Sequence, residues 1–238
     1  MKPAPFDYHR PASLDEALAL LATDEDAKPL AGGQSLVPML NFRLARPSAL
    51  VDLGAIGELA GIRLDDGTLV VGSMTRQWDL EHAPETFPLL RDALSFVGHT
   101  ATRCRGTVGG SLVHADPTAE LAVCALALRA EMVTNRRSIA AEEFFVSVFT
   151  TALEPGELLI EVRFPAPDGP TAFAEHIQRH GDFAVVCVAR TGDRIAVGGV
   201  APTPVLWNGG GVEPIGDLFA PAGYKADVAK QLVERVSS

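Results

Sequence analysis

Hydrophobic residues recur along the chain with helical spacing in some segments and with strand spacing in others. Near the N-terminus, one face of a predicted helix carries Leu14, Ala17, Leu18 and Leu21. The segment Ser13-Leu14-Asp15-Glu16 has the spacing of a capping box, so Ser13 is predicted to cap this helix. Alternating and short continuous apolar runs elsewhere predict strands.

Predicted helices and strands follow one another irregularly along the whole chain. Further helices are predicted over residues 36–44, from residue 75 onward, and over 89–97, 117–128, 140–145 and 226–236. Strands are predicted over residues 28–31, 49–53, 158–164, 172–178, 184–189 and 194–200, with hairpins over 62–72 and 130–139. This irregular order favours an α+β fold over a doubly wound parallel sheet.

Two breaks divide the chain into units. A second unit begins near Gly57, and the run Pro-Ala-Pro-Asp-Gly-Pro at residues 165–170 is the clearest boundary. Residues 202–214, which include Gly209-Gly210-Gly211, are predicted to be irregular. The sequence contains no internal repeat.

Composition excludes several classes of protein. The chain of 238 residues has a net charge of −10, which argues against a nucleic-acid-binding protein. Cys104, Cys124 and Cys187 are too far apart for a CxxC zinc or iron–sulfur site, and unpaired cysteines are typical of a reducing cytoplasm. The N-terminus lacks the pattern of a signal peptide, and no apolar run is long enough for membrane insertion. We therefore expect a cytoplasmic protein.

Two glycine pairs carry the strongest chemical signal. The first lies in Ala31-Gly32-Gly33-Gln34-Ser35 and the second in Gly106-Thr107-Val108-Gly109-Gly110-Ser111, each ahead of a helix-like run. Glycine lets a backbone approach a ligand closely, and free N–H groups at a turn bind anions. Neither pair matches GxGxxG or GxxxxGK[ST], so a Rossmann or P-loop site is disfavoured. Two interpretations stay open: a diphosphate held from two sides, or two ordinary turns.

Three polar residues after the second glycine pair have a chemical and a structural interpretation. Asp116 beside His114 suits acid–base chemistry, but capping of a helix that starts at Pro117 is the simpler interpretation. Glu120 suits hydrogen bonding to a ribose, or is an exposed first-turn glutamate that favours the helix dipole.

The neighbouring arginines and one aromatic residue are equally ambiguous. Arg103 and Arg105 flank Cys104 and either balance phosphate charge or are solvated. Cys104 has no evident base partner, so a catalytic thiol is disfavoured. Phe183, beside a polar turn, suits packing against a flat ring or a place in the core.

Six segments occur in a fixed order over residues 1 to about 200. They are Phe6-Asp7-Tyr8-His9-Arg10-Pro11, Ala31-Gly32-Gly33-Gln34-Ser35-Leu36-Val37-Pro38, Leu44-Ala45-Arg46-Pro47 with Leu50-Val51-Asp52-Leu53, Arg103 through Pro117, Glu154-Pro155-Gly156-Glu157-Leu158-Leu159, and Gly181-Asp182-Phe183-Ala184. As a set they resemble the FAD-binding medium subunit of the molybdenum hydroxylases, the family of carbon monoxide dehydrogenase and bacterial xanthine dehydrogenase.

The resemblance implies a fold and a site. The fold would be a two-subdomain FAD-binding fold of the vanillyl-alcohol-oxidase type, over residues 1–56 and 57–165, with a short C-terminal α+β domain over 171–238. Both glycine segments would hold the FAD diphosphate, Glu120 would contact the nucleotide, and Phe183 would lie near the isoalloxazine. The implied cofactor-binding residues are Ala31, Gly32, Gly33, Gln34, Ser35, Val97, Gly106, Thr107, Val108, Gly109, Gly110, Ser111, Glu120, Leu158 and Phe183, with no catalytic residue and no metal ligand.

The resemblance also implies a function. The chain would be an oxidoreductase subunit that takes electrons from two [2Fe–2S] clusters on a small partner and delivers them to NAD⁺, oxygen or a quinone. Substrate would be hydroxylated on a large molybdenum-containing partner. Two alternatives are a stand-alone flavoenzyme that has lost its partners and a non-catalytic module that binds a nucleotide diphosphate.

Two departures from the family pattern are visible. Glu175 stands about where relatives often have a lysine. The helical region that the family has between Leu206 and Phe219 is mostly absent, which puts the partner contacts of the C-terminal domain in doubt.

Overall fold

A computed structural model describes residues 2–209 and 212–238, and backbone hydrogen bonds within them form four sheets. The architecture mixes helices and strands without regular alternation, so the fold is α+β. Gly210 and Gly211, in the region predicted to be irregular, lie outside the described residues.

A small parallel sheet forms the N-terminal part. Its elements are β1 (Asp7–His9), α1 (Leu14–Thr23), β2 (Lys28–Leu30), α2 (Leu36–Asn41) and β3 (Ala49–Asp52). Both β1 and β2 pair in parallel with β3, which is the central strand. Ser13 Oγ accepts a hydrogen bond from Glu16 N, so the predicted cap is confirmed.

An antiparallel sheet with six helices follows. The elements are β4 (Ile62–Asp65), β5 (Thr68–Gly72), α3 (Gln77–His82), α4 (Pro88–Phe96), α5 (Thr100–Arg103), α6 (Val108–His114), α7 (Glu120–Ala127), β6 (Glu131–Thr134), β7 (Ser138–Ala140), α8 (Ala141–Phe144), β8 (Phe145–Ser147), β9 (Thr150–Thr151) and β10 (Leu159–Phe164). The sheet has the order β4-β5-β10-β6-β7, and β8 and β9 form a separate ribbon. Every residue of α7 is buried, which explains its nearly continuous apolar sequence.

The C-terminal part is a four-stranded antiparallel sheet with one long helix. Its elements are β11 (Thr171–His176), β12 (Val186–Thr191), β13 (Arg194–Gly198), β14 (Val205–Leu206) and α9 (Ala222–Ser237). Val186, Val188 and Val197 pack on the α9 side. Cys187 and Ala189 point the other way, into the same core as α7. The small side chains on that face let α7 lie close to the sheet.

Several element boundaries differ from prediction. The helix predicted over residues 36–44 ends at Asn41, because Arg43 takes a left-handed φ of 58°. The helix predicted over 117–128 begins only at Glu120, since Asp116 Oδ1 accepts a hydrogen bond from Thr118 N at 2.8 Å and closes a separate turn. Asp116 therefore does not cap α7. The ribbon of β8 and β9 was not predicted.

We propose residues 1–56, 57–165 and 171–238 as the three units of the fold, because each range contains one main sheet. The hydrophobic cores do not stop at these limits. Leu158 belongs to the core of the N-terminal sheet, and Cys187 belongs to the core of the middle unit. The units are therefore packed against one another through shared apolar contacts.

Candidate cofactor site

The first glycine turn, residues 31–35, connects β2 to α2 with most of its backbone donors free. Gly33 takes a φ of 73°, which an L side chain rarely adopts, and its carbonyl accepts from Val37 N at 3.0 Å. The N–H groups of residues 33–36 have no hydrogen-bond acceptor within the described chain. Ser35 immediately precedes α2, but its side chain makes no capping bond and is available to a ligand.

The second glycine segment, residues 106–111, is organised differently. It was predicted as a turn ahead of a helix, but Gly109 and Gly110 already lie inside α6. Thr107 Oγ1 caps this helix by accepting from Gly110 N at 3.0 Å, and Gly109 N donates to the Ser73 carbonyl at 2.8 Å. Val108 N and Ser111 N also have backbone acceptors. The expectation of free amides in both segments is therefore wrong for residues 108–111.

The two segments are nevertheless in direct contact. A Cβ at Gly32 would collide with the Arg105 carbonyl oxygen and lie 2.8 Å from Gly106 Cα. A Cβ at Gly110 would lie 3.2 Å from Ala31 Cβ. Glycine is required at residue 32 because the two backbones approach there more closely than a side chain allows, whereas a Cβ at Gly110 would first meet Thr107 Oγ1 at 2.6 Å.

A cleft of about 510 Å³ opens beside this contact. The first glycine turn forms one wall, and three arginines line the cleft: Arg10, Arg76 and Arg105. The Arg76 guanidinium donates to the Arg105 carbonyl oxygen, which fixes the position of its charge. Among these arginines only Arg105 was a sequence candidate. Arg10 occurs in the N-terminal segment of the resemblance, but no sequence pattern indicates that Arg76 lies beside it in the cleft.

Arg103 has a structural role instead. Its Nε donates to Glu81 Oε2 at 2.7 Å, and its Nη1 donates to the Val97 carbonyl at 3.0 Å. The guanidinium carbon lies 6.0 Å from the centre of the Trp78 ring. These contacts hold the end of α4. Arg103 therefore does not face a phosphate and is not solvated, so both interpretations made from the sequence are wrong.

Of the predicted site residues, only residues 31–34 line the cleft, so Ser35, residues 106–111 and the four more distant candidates lie outside its lining. Val97 is half-buried at the end of α4, and Leu158 is buried in the N-terminal core. Glu120 is only 8% exposed, so the interpretation as an exposed glutamate is wrong. Phe183 is 69% exposed, so it is not a core residue. Its ring is free to pack against a ligand.

His114 and Asp116 do not form a catalytic pair. The His114 ring packs on Phe149 with 4.9 Å between ring centres, and Asp116 accepts from Thr118. Burial lowers the pKa of His114, although the Asp116 charge acts in the opposite direction. The ring is thus a mostly neutral packing element near the end of α6.

The donors and charges of the cleft fit a dinucleotide diphosphate. The free amides of Gly33 and Gln34 and three guanidinium groups line the cleft and suit phosphate oxygens, and these cations outnumber the Asp52 carboxylate that also lines it. In the described ranges 2–209 and 212–238, no group of three His, Cys, Asp or Glu residues is placed to hold a metal. None of the helices described there has the length and apolar character to cross a membrane.

Comparison of the sequence with known proteins identifies the family. Residues 4–167 match the FAD binding domain in molybdopterin dehydrogenase. The carbon monoxide dehydrogenase medium chain of Hydrogenophaga pseudoflava is 36% identical over 277 residues, covering 99% of this chain and 96% of the relative. The 6-hydroxypseudooxynicotine dehydrogenase complex subunit alpha of Paenarthrobacter nicotinovorans is 46% identical, over 78% of this chain and 66% of the relative.

Solved structures agree with these sequence matches. Quinoline 2-oxidoreductase from Pseudomonas putida 86 superposes with a TM-score of 0.94 at 35% identity, covering 99% of this chain and 96% of the matched chain. Carbon monoxide dehydrogenase from Hydrogenophaga pseudoflava gives a TM-score of 0.92 at 34% identity, covering 99% and 97%. The chain therefore belongs to the FAD-binding medium subunits of the molybdenum hydroxylases, an oxidoreductase family.

Proposed function

We propose that this chain is the electron-transfer flavoprotein subunit of a molybdenum hydroxylase. One observation carries the proposal: the first glycine turn lines a cleft with free amides and three arginines, and the second glycine segment packs directly against that turn. Bound FAD would supply a group that accepts electrons one or two at a time. In this role the chain passes electrons from [2Fe–2S] clusters of a partner to NAD⁺, oxygen or a quinone.

The chain's own contribution is binding and orientation. The free amides of residues 33–36 bind the diphosphate, and Arg10, Arg76 and Arg105 balance its charge. The second glycine segment acts as a rigid wall, because its amides are already hydrogen-bonded within the protein. The two glycine segments therefore have different roles, and they are not two equivalent anion-binding sites.

The remaining predicted site residues are assigned by family resemblance and by their exposure. Phe183, exposed and next to a turn, packs on the isoalloxazine in this proposal. Glu120 contacts the nucleotide, and Val97 and Leu158 belong to the apolar surroundings of the cofactor. The full proposed set is Ala31, Gly32, Gly33, Gln34, Ser35, Val97, Gly106, Thr107, Val108, Gly109, Gly110, Ser111, Glu120, Leu158 and Phe183.

The proposed partners are a small iron–sulfur subunit and a large molybdenum subunit. Two matched relatives are named as a medium chain and as a subunit of a dehydrogenase complex, which supports a multi-subunit assembly. Hydroxylation would take place on the large partner, so the isolated chain should not hydroxylate an aldehyde or a heterocycle. We place the complex in the cytoplasm.

A stand-alone flavoenzyme is the second candidate. The alignment with the Hydrogenophaga relative spans 277 positions, more than the 238 residues of this chain, so the relative carries segments that this chain lacks. A loss of partner-contacting segments would fit an enzyme that works alone. A partner-free chain that turns over its own substrate would favour this candidate.

A single glycine substitution tests the shared cleft. Gly32→Ala places a methyl group against the backbone of residues 105 and 106, so we expect FAD affinity to fall at least about tenfold. The matched control is Gly57→Ala, because a Cβ there meets nothing within 4 Å. Flavin absorbance per chain and far-UV circular dichroism are the measurements. A folded Gly32→Ala variant with normal FAD content would contradict the proposed site.

A further inference from the structure

Two carboxyl groups are buried where the middle unit meets the C-terminal sheet. Glu120 is the first residue of α7 and is only 8% exposed. Glu175 lies on β11, opposite Cys187 of β12 in the antiparallel register. Both carboxylate oxygens of Glu175 are shielded from solvent and have no hydrogen-bond partner within the described chain. Glu120 has a hydrogen bond from its own backbone amide, so Glu175 is the carboxylate whose burial without a partner requires an explanation.

The surroundings provide no positive charge to balance the pair. On α7 and the turn before it, the groups that bear on Glu120 are Asp116 and the Cys124 thiol. The neighbouring strand contributes the Cys187 thiol, whose hydrogen-bond acceptor is the Thr118 carbonyl at 3.6 Å. From α4, Asp92 acts on Cys124. Every one of these groups is an acid or a thiol, and each negative charge among them disfavours ionised carboxylates.

Neighbouring cations are committed elsewhere. Lys225 of α9 donates to the Gly199 carbonyl at 2.7 Å and to Asp217 at 2.6 Å. Arg194 of β13 pairs with Glu142 and donates to the Leu126 carbonyl, at the opposite end of α7 from Glu120. The face of β11 that carries Glu175 also carries Phe173, which packs on Phe96 with 5.6 Å between ring centres. The contact around the two acids is therefore mainly apolar.

We infer that the carboxyl groups of Glu120 and Glu175 form a proton-binding site inside the contact between α7 and the C-terminal sheet, and that ionisation of both weakens this contact. A protonated carboxyl can donate the hydrogen bond that an ionised one cannot, and it removes the repulsion between the two acids. The proton thus acts as a structural ligand of the contact. The inference shares Glu120 with the proposed nucleotide contact but does not require electron transfer, and its variants change Glu175, which lies outside the proposed cofactor site.

The direction of the pKa changes agrees with the geometry. Burial raises the pKa of Glu120 to about 8; the hydrogen bond from its own backbone acts against this rise, and the charges of Glu175 and Asp116 add to it. Burial raises the pKa of Glu175 to about 7. In the unfolded chain both carboxyls have their ordinary value of 4.5. At a pH between the unfolded and the folded pKa values, the protein therefore takes up protons when it folds. The stability that depends on these bound protons is lost as pH rises toward about 8.

Unfolding of the full chain by urea at pH 5 to 9, with FAD saturating throughout, tests the inference. For each carboxyl that the fold keeps protonated, the ratio of folded to unfolded protein should fall about tenfold per pH unit between the pKa of the unfolded chain and the pKa of the folded protein. Glu175→Gln should reduce this slope, because an amide does not ionise. Glu175→Lys should make the protein more stable than wild type at pH 8 to 9, because a cation would then face Glu120.

Two controls separate this site from other titrations. Glu143→Gln removes an exposed glutamate of α8 and should leave the slope unchanged. His114, whose pKa is lowered, gives the opposite slope in every variant, so the comparison with wild type removes its effect. Profiles of wild type and Glu175→Gln that stay parallel from pH 5 to 9 would overturn the inference.

Infrared spectroscopy of the wild-type chain covers the case in which the variants fail to fold. A carbonyl stretch of protonated carboxyl groups should be present at pH 6 and disappear toward pH 9. Absence of this band at pH 6 would equally overturn the inference.

Discussion

A few individual residues determine the affinity of the cleft for negatively charged groups. Arg76 is fixed by its hydrogen bond to the Arg105 carbonyl, and with Arg10 and Arg105 it places three positive charges in a chain of net charge −10. The sequence identified the glycines and Arg105 but not Arg76, because no local pattern shows that residue 76 faces residue 105. It also made Arg103 a phosphate candidate, although Arg103 is held by Glu81.

At this scale we predict that Arg76→Gln weakens FAD binding about tenfold, since a charge-assisted hydrogen bond contributes about 1.5–3 kcal/mol and 1.4 kcal/mol is tenfold in affinity. Titration of the apoprotein with FAD, followed by flavin fluorescence, measures the change. Arg63→Gln is the matched control, because Arg63 pairs with Glu161 and does not line the cleft. Equal affinity in the two variants would exclude Arg76 from the site.

Among the elements, α6 packs behind the first glycine turn. Its first turn contains Gly109 and Gly110, Thr107 caps it, and a Cβ at Gly110 would lie 3.2 Å from Ala31 Cβ. Hydrophobic pattern predicted most helices and strands, including both hairpins. It failed where a residue breaks the pattern locally, as with the left-handed Arg43 after α2 and the left-handed Phe149 between β8 and β9. Such conformations depend on tertiary contacts that periodicity does not reveal.

The cap of α6 gives the second prediction. Thr107→Val keeps the side-chain shape but removes the acceptor of Gly110 N, so the free energy of unfolding should fall by about 1 kcal/mol. Thr68→Val makes the same chemical change on β5, where the hydroxyl has no hydrogen bond within the described chain, and should have little effect. Urea unfolding at pH 7 compares the two. A loss of the same size in both variants would show that the cap does not stabilise α6.

For the whole molecule, the balance of buried acids sets the dependence of stability on pH. Hydrogen bonds from Arg137, at 3.0 and 3.1 Å, are the main reason that the pKa of Glu157 falls to about 2. Glu157 therefore stabilises the fold fully above about pH 4.5, and this stabilisation is lost as pH falls toward 2. The sequence could not predict this pair, or the buried Glu120 and Glu175, because each joins elements distant along the chain.

The contact between Arg137 and Glu157 gives a prediction for acid stability. Glu157→Gln should lower the urea midpoint at pH 5 and reduce the further loss between pH 5 and pH 3, because the group that titrates is gone. Glu154→Gln, in the same turn but with 60% of its side chain exposed, should follow the wild-type profile more closely. If Glu157→Gln keeps the full acid-dependent loss, other carboxylates are responsible for it.

The two glycine segments differ in backbone hydrogen bonding, and this difference has a consequence for the proposed site. The amides of residues 108–111 have acceptors within the protein, so we expect them to be protected from deuterium exchange with or without a nucleotide. The amides of residues 33–36 have none, so we expect them to exchange quickly until a bound phosphate covers them. Isotope uptake at these four neighbouring amides would then report how many molecules carry the cofactor.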